Sequence, residues 1–462
     1  MSDIVARLSE ALGSEVVTPG GQAPEGAMHD WSGLPPVRPL ALVRPRDTED
    51  VAIALRLCNE SGTAVVPQGG LSGISGGAHP IESAVSISLE RMNRIEAIDP
   101  EMSTITLGAG TVLQTAQEAA AEHGLLLGVD LGARGSCTIG GVIATNAGGN
   151  QVIRYGMTRD HVLGLEAVLA DGTIVSAMNT MIKNNAGLDL KQLFIGSEGL
   201  LGIVTRAVMR LQPRPAFTGT AFCGCPDTAS VIALLKRARA ALGPQLTSFE
   251  VMWPSFFDFM SAGTGLKRPL AASHGVYVII EASGFAEAPL RTALESCLET
   301  AIEDGEVGDA VLASSAREEK QLWAVRESVA EYGRLLGPIT AFDVGVPLAN
   351  MADAVSRLEA ELVARWPDII ALFYGHMGDS NLHLVANVPS AGDDQPDADI
   401  KSLVYGLIRD LGGTVSAEHG IGVIKRDYLG YSRSTEEIAT MRAVKSALDP
   451  KNIMNPGKGF ST

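Results

Sequence analysis

Two histidines flank a short polar turn in the stretch FYGHMGDSNLHLVANV, residues 373–388. The chain has only eight histidines among 462 residues, so this pairing of His376 with His383 is unusual. If Asp379 and Ser380 form a two-residue hairpin loop, the two histidines face each other with Cβ atoms about 4.5–5.5 Å apart. Two imidazoles placed in this way can bind one metal ion. The alternative is a pair of half-buried strand histidines that bond to their neighbours.

A third candidate ligand lies further along the chain. The motif SAEHGIG, residues 416–422, places Glu418 beside His419 among small residues that suit a closely packed site. Two histidines and one carboxylate leave coordination positions open for substrate oxygens, which is typical of catalytic metal sites. These residues are therefore candidate ligands of a divalent metal ion. Zinc is favoured, and manganese or iron would suit the same donors.

Two stretches rich in small residues, which we call the glycine loops, could hold a cofactor. PQGGLSGISGG, residues 67–77, follows the strand pattern TAVVP, and its backbone amides could form a nest for a pyrophosphate. It has neither the GxGxxG nor the GK[ST] pattern, so it is neither a Rossmann turn nor a P-loop. GVDLGARGSCTIGGVIATNAGG, residues 128–149, could lie flat against something large and planar. A single glycine-rich stretch is common in surface turns, whereas two such stretches in one domain favour cofactor binding.

The composition excludes some partners. With 36 basic and 53 acidic residues the formal charge is -17, which disfavours nucleic acids and anionic lipid surfaces. The five cysteines form no pairing framework, which fits a reducing compartment. Neither a signal peptide nor an apolar run of about 18 residues is visible. We therefore expect a cytoplasmic protein.

The pattern of secondary structure changes near Pro213–Pro215. Before it, TEDVAIALRLCNESG predicts a helix capped by Asp47 or Thr48 and stopped by Gly62, and Asp171-Gly172 predicts a hairpin. After it, helical patterns alternate with strand runs such as GVYVIIEASG, which predicts an α+β domain with a largely antiparallel sheet. We divide the chain into an N-terminal segment, two domains and a C-terminal helical segment, at 1–37, 38–214, 215–400 and 401–462.

Six motifs occur in an order that is typical of one flavoprotein family. They are PQGGLSGISGG, GARGSCTIGGVIATNAGGNQVIRYG, LFIGSEGLLGIVT, GHMGDSNLHL, SAEHGIG and LDPKNIMNPGK. From about residue 38 to residue 460 the chain resembles the FAD-linked D-2-hydroxyacid dehydrogenases, which include D-lactate and D-2-hydroxyglutarate dehydrogenases. The resemblance implies an α+β protein with a vanillyl-alcohol-oxidase (PCMH-type) FAD-binding domain at 38–214. It also implies a substrate domain at 215–400 and a terminal segment that returns to the FAD.

The resemblance assigns the FAD to both glycine loops. The first loop reads GGLSG where the family usually has GGNTG, so Leu71 lacks a polar side chain while Ser72 keeps a hydroxyl. We still expect FAD, because backbone amides bind the phosphates. We expect no covalent bond from FAD to His79 or His161. The predicted FAD contacts are Gln68, Gly69, Gly70, Leu71, Ser72, Gly73, Ser136, Thr138, Gly140, Gly141, Ala144, Thr145, Gly148, Gly149, Ile203 and Asn455.

The resemblance also implies a role for each residue of the metal centre. The ligands are His376, His383 and Glu418, and His419 is the base that takes the substrate's hydroxyl proton. Arg326, in the helical pattern KQLWAVRESVAEYGRLL, binds the substrate carboxylate. The Cα hydride passes to the flavin, which yields the 2-keto acid.

Three positions bear on the choice of acid. Ala330, Ala341 and Val385 stand where the 2-hydroxyglutarate members carry threonine, lysine and asparagine. A second carboxylate would be unpaired among these apolar side chains, at a cost of several kcal/mol. The sequence thus predicts a monocarboxylic D-2-hydroxy acid similar to D-lactate.

Several alternatives stay open. They are a D-2-hydroxyglutarate dehydrogenase, a partner-dependent flavin subunit of a glycolate-oxidase-type complex, a transferase like alkyl-glycerone-phosphate synthase, and an oxidase that forms peroxide. The electron acceptor can be a quinone, a cytochrome or an electron-transfer flavoprotein, and it could hold the protein at the inner membrane. We expect no nucleic-acid partner, and a homodimer is left open.

Overall fold

The computed structural model describes residues 3–460, which form two compact units interleaved along the chain. The first unit comprises Met1–Gly149, Gly156–Arg214 and Glu418–Thr462, and the second comprises Asn150–Tyr155 and Pro215–Ala417. The division of the chain into four segments, which the sequence suggested, stays a prediction.

The first unit contains two main sheets. Four strands pair in the order Val17–Pro19, Ala41–Val43, Val85–Ser88 and Val65–Gln68, the last three in parallel. Five antiparallel strands pair in the order Ile95–Asp99, Thr104–Gly108, Ile203–Arg210, Val162–Val168 and Ile174–Ala177. A short antiparallel pair joins Leu125–Leu126 to Gln212–Pro213.

The helices of the first unit begin and end at polar or glycine signals. The Asp47 carboxylate caps one helix by accepting from the Asp50 N–H at 2.9 Å, and Gly62 ends it at φ 67°, as predicted. Gly172, at φ 85°, forms the predicted hairpin turn. The helices are Asp3–Leu12, Thr48–Ser61, Leu113–Glu122, Ile139–Thr145, Thr158–His161, Lys191–Phe194 and Thr435–Leu448, with 3-10 turns at Gly20–Gln22, Glu25–Ala27 and Arg426–Tyr431.

The second unit is built on one seven-stranded sheet, and every strand pair in its described residues is antiparallel. This confirms the predicted α+β class with a largely antiparallel sheet. The strand order is Asp309–Leu312, Phe217–Cys225, Val276–Gly284, Leu246–Met252, Ile370–Gly375, Asn381–Asn387 and Thr340–Gly345.

Helices flank this sheet. Thr228–Leu242 and Glu287–Glu303 contact each other and the strand Val276–Gly284, while Pro254–Thr264 packs against Ile370–Gly375. The helices of the unit are Val152–Tyr155, Thr228–Leu242, Pro254–Thr264, Glu287–Glu303, Ala316–Trp323, Tyr332–Leu336, Met351–Arg365 and Asp397–Asp410, with 3-10 turns at Gly243–Gln245, Ser328–Glu331, Leu348–Asn350, Met377–Asp379 and Pro389–Ala391.

Two further features bear on the expectations from composition. All five cysteines are buried and none forms a disulfide in the described residues. Among residues 3–460 no helix combines the length and apolar character that a membrane span requires.

Candidate functional site

The histidine hairpin forms, but in a different register from the predicted one. Tyr374, rather than His376, lies opposite His383 on the neighbouring strand. A 3-10 turn occupies Met377–Asp379, and the His376 carbonyl accepts from the Asn381 N–H at 3.1 Å. The predicted register was therefore wrong by two residues, because the turn closes with Ser380 in the left-handed region at φ 72°.

The two imidazole rings lie close together despite this change. The ring centroids of His376 and His383 are 5.2 Å apart with an interplanar angle of 82°. Both side chains are buried, with 6% and 7% of their residue surface exposed. The turn brings His376 off the end of its strand and towards the face on which His383 lies.

A buried glutamate that the sequence reasoning missed fixes the orientation of His376. Glu250, in the fully buried strand Leu246–Met252, lies with Oε1 2.6 Å from His376 Nδ1. On the other side of the ring, Arg326 Nη2 is 3.4 Å from His376 Nε2. Because an arginine only donates, this contact makes Nε2 the acceptor, and Nδ1 then donates to Glu250. Nε2 is thus the acceptor atom of the ring; it faces the Arg326 guanidinium in this structure, and a bound metal would take the place of that contact.

Arg326 does not lie in a continuous helix, so that prediction was wrong. It falls between the helix Ala316–Trp323 and the 3-10 turn Ser328–Glu331. Its Nε donates to Glu250 Oε2 at 2.9 Å, and its Cζ lies 4.7 Å from the ring centroid of Tyr374. The break in the helix allows the guanidinium to reach this buried position.

Glu250 and Arg326 keep their charges through this pairing. Burial disfavours the charged form of Glu250, but His376 and Arg326 outweigh burial and lower the pKa of its carboxyl below the usual value. Burial likewise opposes the charge on Arg326, and Glu250 outweighs it and raises the pKa of the guanidinium. Such a pair holds its members in place, because removing one partner leaves an uncompensated buried charge.

Asp343 is a second carboxylate that was not predicted to contribute. It lies opposite His383 in the sheet and is 0% exposed. Its Oδ1 accepts from Asn381 Nδ2 at 2.8 Å, and its Oδ2 accepts from the Ala417 N–H at 3.2 Å. The Ala417 bond ties the end of this unit to the sheet immediately before Glu418.

Two of the three predicted ligands, His376 and His383, lie side by side within the second unit. Glu418 and His419 belong to the first unit, so their place in the same metal centre stays a prediction. We call Glu250, Arg326, Asp343, His376 and His383 the histidine site. Its two imidazoles and carboxylates fit a divalent cation.

The glycine loops lie against each other within the first unit. A Cβ at Gly70 would lie 1.9 Å from the Ser136 carbonyl oxygen, and one at Gly69 would lie 2.6 Å from Thr138 Oγ1. Both positions thus exclude any larger residue. The contact brings the predicted residues 68–73 beside the start of the helix Ile139–Thr145.

Three predicted FAD contacts carry buried polar atoms without a partner in the described residues: Gln68 Oε1, Thr138 Oγ1 and Asn455 Oδ1. Asn455 Nδ2 donates to the Gly77 and Glu198 carbonyls at 2.9 and 2.7 Å, which places this C-terminal residue beside the first glycine loop. Buried polar atoms are normally hydrogen-bonded, so these atoms suit a polar ligand. The two amide oxygens can accept from a cofactor's N–H or O–H groups and the Thr138 hydroxyl can donate, so the residues present fit a cofactor that carries both kinds of group.

At other predicted FAD residues, close packing within the protein explains which amino acid is present. A Cβ at Gly140 would lie 2.8 Å from that of Ala109, and a Cβ at Gly149 would lie 1.8 Å from the Asp130 carbonyl oxygen. Ile203 is 2% exposed within the hydrophobic core. These positions contribute to packing, and whether they contact FAD is not tested by these distances. The same holds for the other predicted FAD contacts, Ser72, Gly73, Gly141, Ala144, Thr145 and Gly148.

Leu71 shows what its departure from the family pattern costs. Its φ is 55°, in the left-handed region where a leucine is strained and an asparagine is tolerated. Its carbonyl accepts from the Trp31 N–H at 3.1 Å, so the strained conformation is held in place. The missing polar side chain therefore affects the conformation of the loop.

Family profiles match both parts of the chain. A profile described as "FAD binding domain" matches residues 39–177, and one described as "FAD linked oxidases, C-terminal domain" matches residues 214–459. The FAD dependence implied by the motifs is thereby confirmed.

Relatives are similar over nearly the whole chain. Mitochondrial D-2-hydroxyglutarate dehydrogenase of Bos taurus is 39% identical over 460 residues, which is 100% of this chain and 84% of the relative. D-2-hydroxyglutarate dehydrogenase of Xanthomonas citri pv. viticola is 38% identical over 440 residues, 94% of this chain and 92% of the relative. A Schizosaccharomyces pombe protein named as a candidate mitochondrial D-lactate dehydrogenase is 36% identical over 438 residues, 93% of this chain and 83% of the relative.

The predicted cytoplasmic location is wrong. The names of the Bos taurus, Oryza sativa and Schizosaccharomyces pombe relatives place those proteins in mitochondria. Unpaired cysteines indicate a reducing environment, and such an environment is not confined to the cytoplasm.

Solved structures share the fold. p-Cresol methylhydroxylase with substrate bound superposes with a TM-score of 0.79 at 16% identity, over 99% of this chain and 96% of that chain. Alkyldihydroxyacetonephosphate synthase gives a TM-score of 0.75 at 20% identity, over 99% of this chain and 84% of that chain. At such identities the likeness concerns the fold and not the reaction. It confirms the predicted vanillyl-alcohol-oxidase (PCMH-type) architecture. Profiles and relatives together show that the chain belongs to the FAD-dependent D-2-hydroxyacid dehydrogenases, which oxidise a small hydroxy acid and pass its electrons to an acceptor.

Proposed function

We propose that the chain oxidises a D-2-hydroxy acid at a divalent metal centre held by His376, His383 and Glu418. The observation that carries this proposal is the setting of His376, whose Nδ1 lies 2.6 Å from Oε1 of buried Glu250 and whose ring centroid lies 5.2 Å from that of His383. Zinc suits these donors best, and manganese or iron are the alternatives. When bound, the metal would lower the pKa of the substrate hydroxyl, and FAD would accept the hydride.

The side chains around the ligands supply binding and proton transfer. Arg326 uses Nε and Nη2 in its contacts with Glu250 and His376, so its Nη1 edge can pair with the substrate carboxylate. His419, next to Glu418 in the chain, takes the hydroxyl proton. Glu250 keeps Arg326 and His376 in one fixed arrangement, so that the carboxylate and the hydroxyl of the substrate meet their partners together.

We propose a monocarboxylic acid similar to D-lactate as the preferred substrate. In the sheet Ala341 pairs with Val385 two residues from the pair Asp343 and His383, so all four side chains share one face. Ala330 is exposed near Arg326 in the chain. Ala341 is also exposed, whereas Val385 is buried and offers no partner to a second carboxylate.

The runner-up is D-2-hydroxyglutarate, which the names of the relatives at 39% and 38% identity support. The substrate test is anaerobic flavin reduction by D-lactate, L-lactate and D-2-hydroxyglutarate, with the wild type and with Ala341→Lys/Val385→Asn. We expect D-lactate to reduce the flavin of the wild type fastest. In the double variant the rate of flavin reduction by D-2-hydroxyglutarate should rise at least about tenfold. Fast wild-type reduction by D-2-hydroxyglutarate at micromolar concentration would reject the monocarboxylate preference and retain the metal centre.

The electron acceptor is a separate proposal. We propose a quinone, a cytochrome or an electron-transfer flavoprotein as acceptor. Mixing the reduced protein with each acceptor class and with air distinguishes them from an oxidase. A protein that no hydroxy acid reduces would instead favour the transferase or the partner-dependent flavin subunit.

A further inference from the structure

The segment that follows the proposed base is held by an unusual carboxylate. The Ile421 N–H donates to Glu198 Oε1 and the Gly422 N–H donates to Glu198 Oε2, both at 2.8 Å. These amides come two and three residues after His419. One carboxyl group thus holds two consecutive amides of the segment that carries the base. Burial raises the pKa of this carboxyl, and the two amide hydrogen bonds act against that shift.

Glu198 is itself fixed through its backbone. Its N–H donates to the Ala144 carbonyl at 2.8 Å, and its own carbonyl accepts from Asn455 Nδ2 at 2.7 Å. Its φ is 50°, in the left-handed region that costs a residue with a β-carbon on the order of 1–2 kcal/mol. Such strain persists only where the surroundings impose it, and it clusters at functional sites.

Ser75, in the first glycine loop, holds the same segment from a second point. Its carbonyl accepts from the Val423 N–H at 2.9 Å, and its Oγ donates to the Gly420 carbonyl at 3.3 Å. A Cβ at Gly422 would lie 2.0 Å from the Ser75 carbonyl oxygen, so the segment lies directly on the loop. All of these residues belong to the first unit.

We propose that Glu198 is a positioning residue that fixes the backbone after His419 and thereby sets the place of the base. The inference rests on the proposed function, in which His419 takes the substrate's hydroxyl proton. A displacement of about 1 Å at a reacting group can cost 100-fold in rate. Glu198 therefore affects the chemical step without touching the substrate.

The substitution Glu198→Gln tests this directly. Glutamine has nearly the same shape but replaces one oxygen by an NH2 group, so it can no longer accept from both amides. We expect FAD content and melting temperature close to wild type and a limiting rate of flavin reduction about 10- to 100-fold lower. The half-saturating concentration of D-lactate or D-2-hydroxyglutarate should change less than about threefold, because the loss concerns the chemical step.

The effect of Glu198→Gln must depend on His419. In a His419→Ala background we expect Glu198→Gln to lower the rate less than about twofold, since the group that it positions is absent. The matched control is Glu437→Gln, because the Glu437 carboxylate also accepts from a backbone N–H, that of Ser434 at 2.9 Å, in an exposed capping box of the same unit. It should leave the rate unchanged in both backgrounds.

The outcomes separate the two proposals. A wild-type rate in His419→Ala alone would reject the base assigned under the proposed function. Suppose instead that His419→Ala is slow. The positioning role alone is then rejected if Glu198→Gln has no effect in the wild-type background, or if its effect is equal in both backgrounds. If Glu198→Gln loses FAD or does not fold, Glu198→Asp, which keeps both carboxyl oxygens but shortens the side chain, carries the same comparison.

Discussion

The histidine site and the glycine loops solve two binding problems by different means. The histidine site is made of side chains, and two buried charged groups, Glu250 and Arg326, fix their orientation. The glycine loops are made mainly of backbone, and their close approach depends on the absence of side chains at Gly69 and Gly70. The difference predicts that single substitutions alter chemistry in the first region and conformation in the second.

The largest effect is expected from His383→Ala in the histidine site. Loss of one imidazole removes a proposed ligand, and metal-assisted catalysis supplies several kcal/mol, so the rate of flavin reduction should fall at least about 100-fold. Bound metal, measured by elemental analysis, should fall in parallel while FAD content stays constant. His274→Ala is the control, because His274 packs against Tyr277 in the same unit. Equal losses in both variants would show a general effect of removing an imidazole.

Glu250→Gln should have the next largest effect. The variant keeps a hydrogen-bond acceptor for His376 but leaves the buried Arg326 guanidinium without its counter-charge. We expect a loss of about 10- to 100-fold in metal affinity, as for other groups that orient a metal-binding histidine. Titration of the metal-free protein with zinc measures it. The control is Glu306→Gln, which removes the charge of another arginine-bound glutamate, paired with Arg237 at 2.7 Å.

A smaller effect, on stability, is expected beside the first glycine loop. Lys458 is 2% exposed and donates to the Gly77 and His79 carbonyls, and burial lowers the pKa of its amine from 10.5 to about 7. Between these two values the unfolded chain binds a proton that the folded chain does not, so stability should rise as pH rises from about 7 towards 10.5.

The measurement is the melting temperature of the wild type and of Lys458→Met at pH 7 and pH 9. The wild type should gain stability relative to the variant as pH increases, while Lys451→Met, which removes an exposed lysine, should follow the wild type. Parallel wild-type and Lys458→Met profiles would contradict the assigned protonation.

The smallest effect concerns the strained residue of the same loop. Leu71→Asn replaces a leucine at φ 55° by a residue that tolerates this conformation, and should stabilise the fold by about 1 kcal/mol. The melting temperature should rise by about 2 °C. Leu71→Ala keeps the β-carbon and should give no increase. An equal rise in both variants would show that the leucine side chain, rather than its backbone, is unfavourable.

The same contrast explains what the sequence predicts well. Local signals identify the helix Thr48–Ser61 with its cap Asp47 and its stop Gly62, since caps depend on residues a few positions away. Motifs identify His376 and His383 as a pair that comes together. Glycine clusters identify the first loop, because few other residues allow such close backbone contacts.

The remaining features depend on contacts between distant residues. Glu250 lies 126 residues before His376, and only strand pairing brings the two together. A signal was present, since Glu250 is the one charged residue in the strand pattern LTSFEVM, but its partner could not be read from the sequence. The hairpin register was missed because the 3-10 turn at Met377–Asp379 closes it in place of a two-residue loop.

The most direct test of the central claim is anaerobic flavin reduction by a D-2-hydroxy acid before and after metal removal. The purified FAD-loaded protein is treated with a chelator, assayed with D-lactate and D-2-hydroxyglutarate, and assayed again after addition of zinc or manganese. We predict that the flavin band bleaches in the untreated protein, that bleaching slows at least about 100-fold without metal, and that metal restores it. Unchanged bleaching in protein shown to be free of metal would contradict the metal centre at His376, His383 and Glu418.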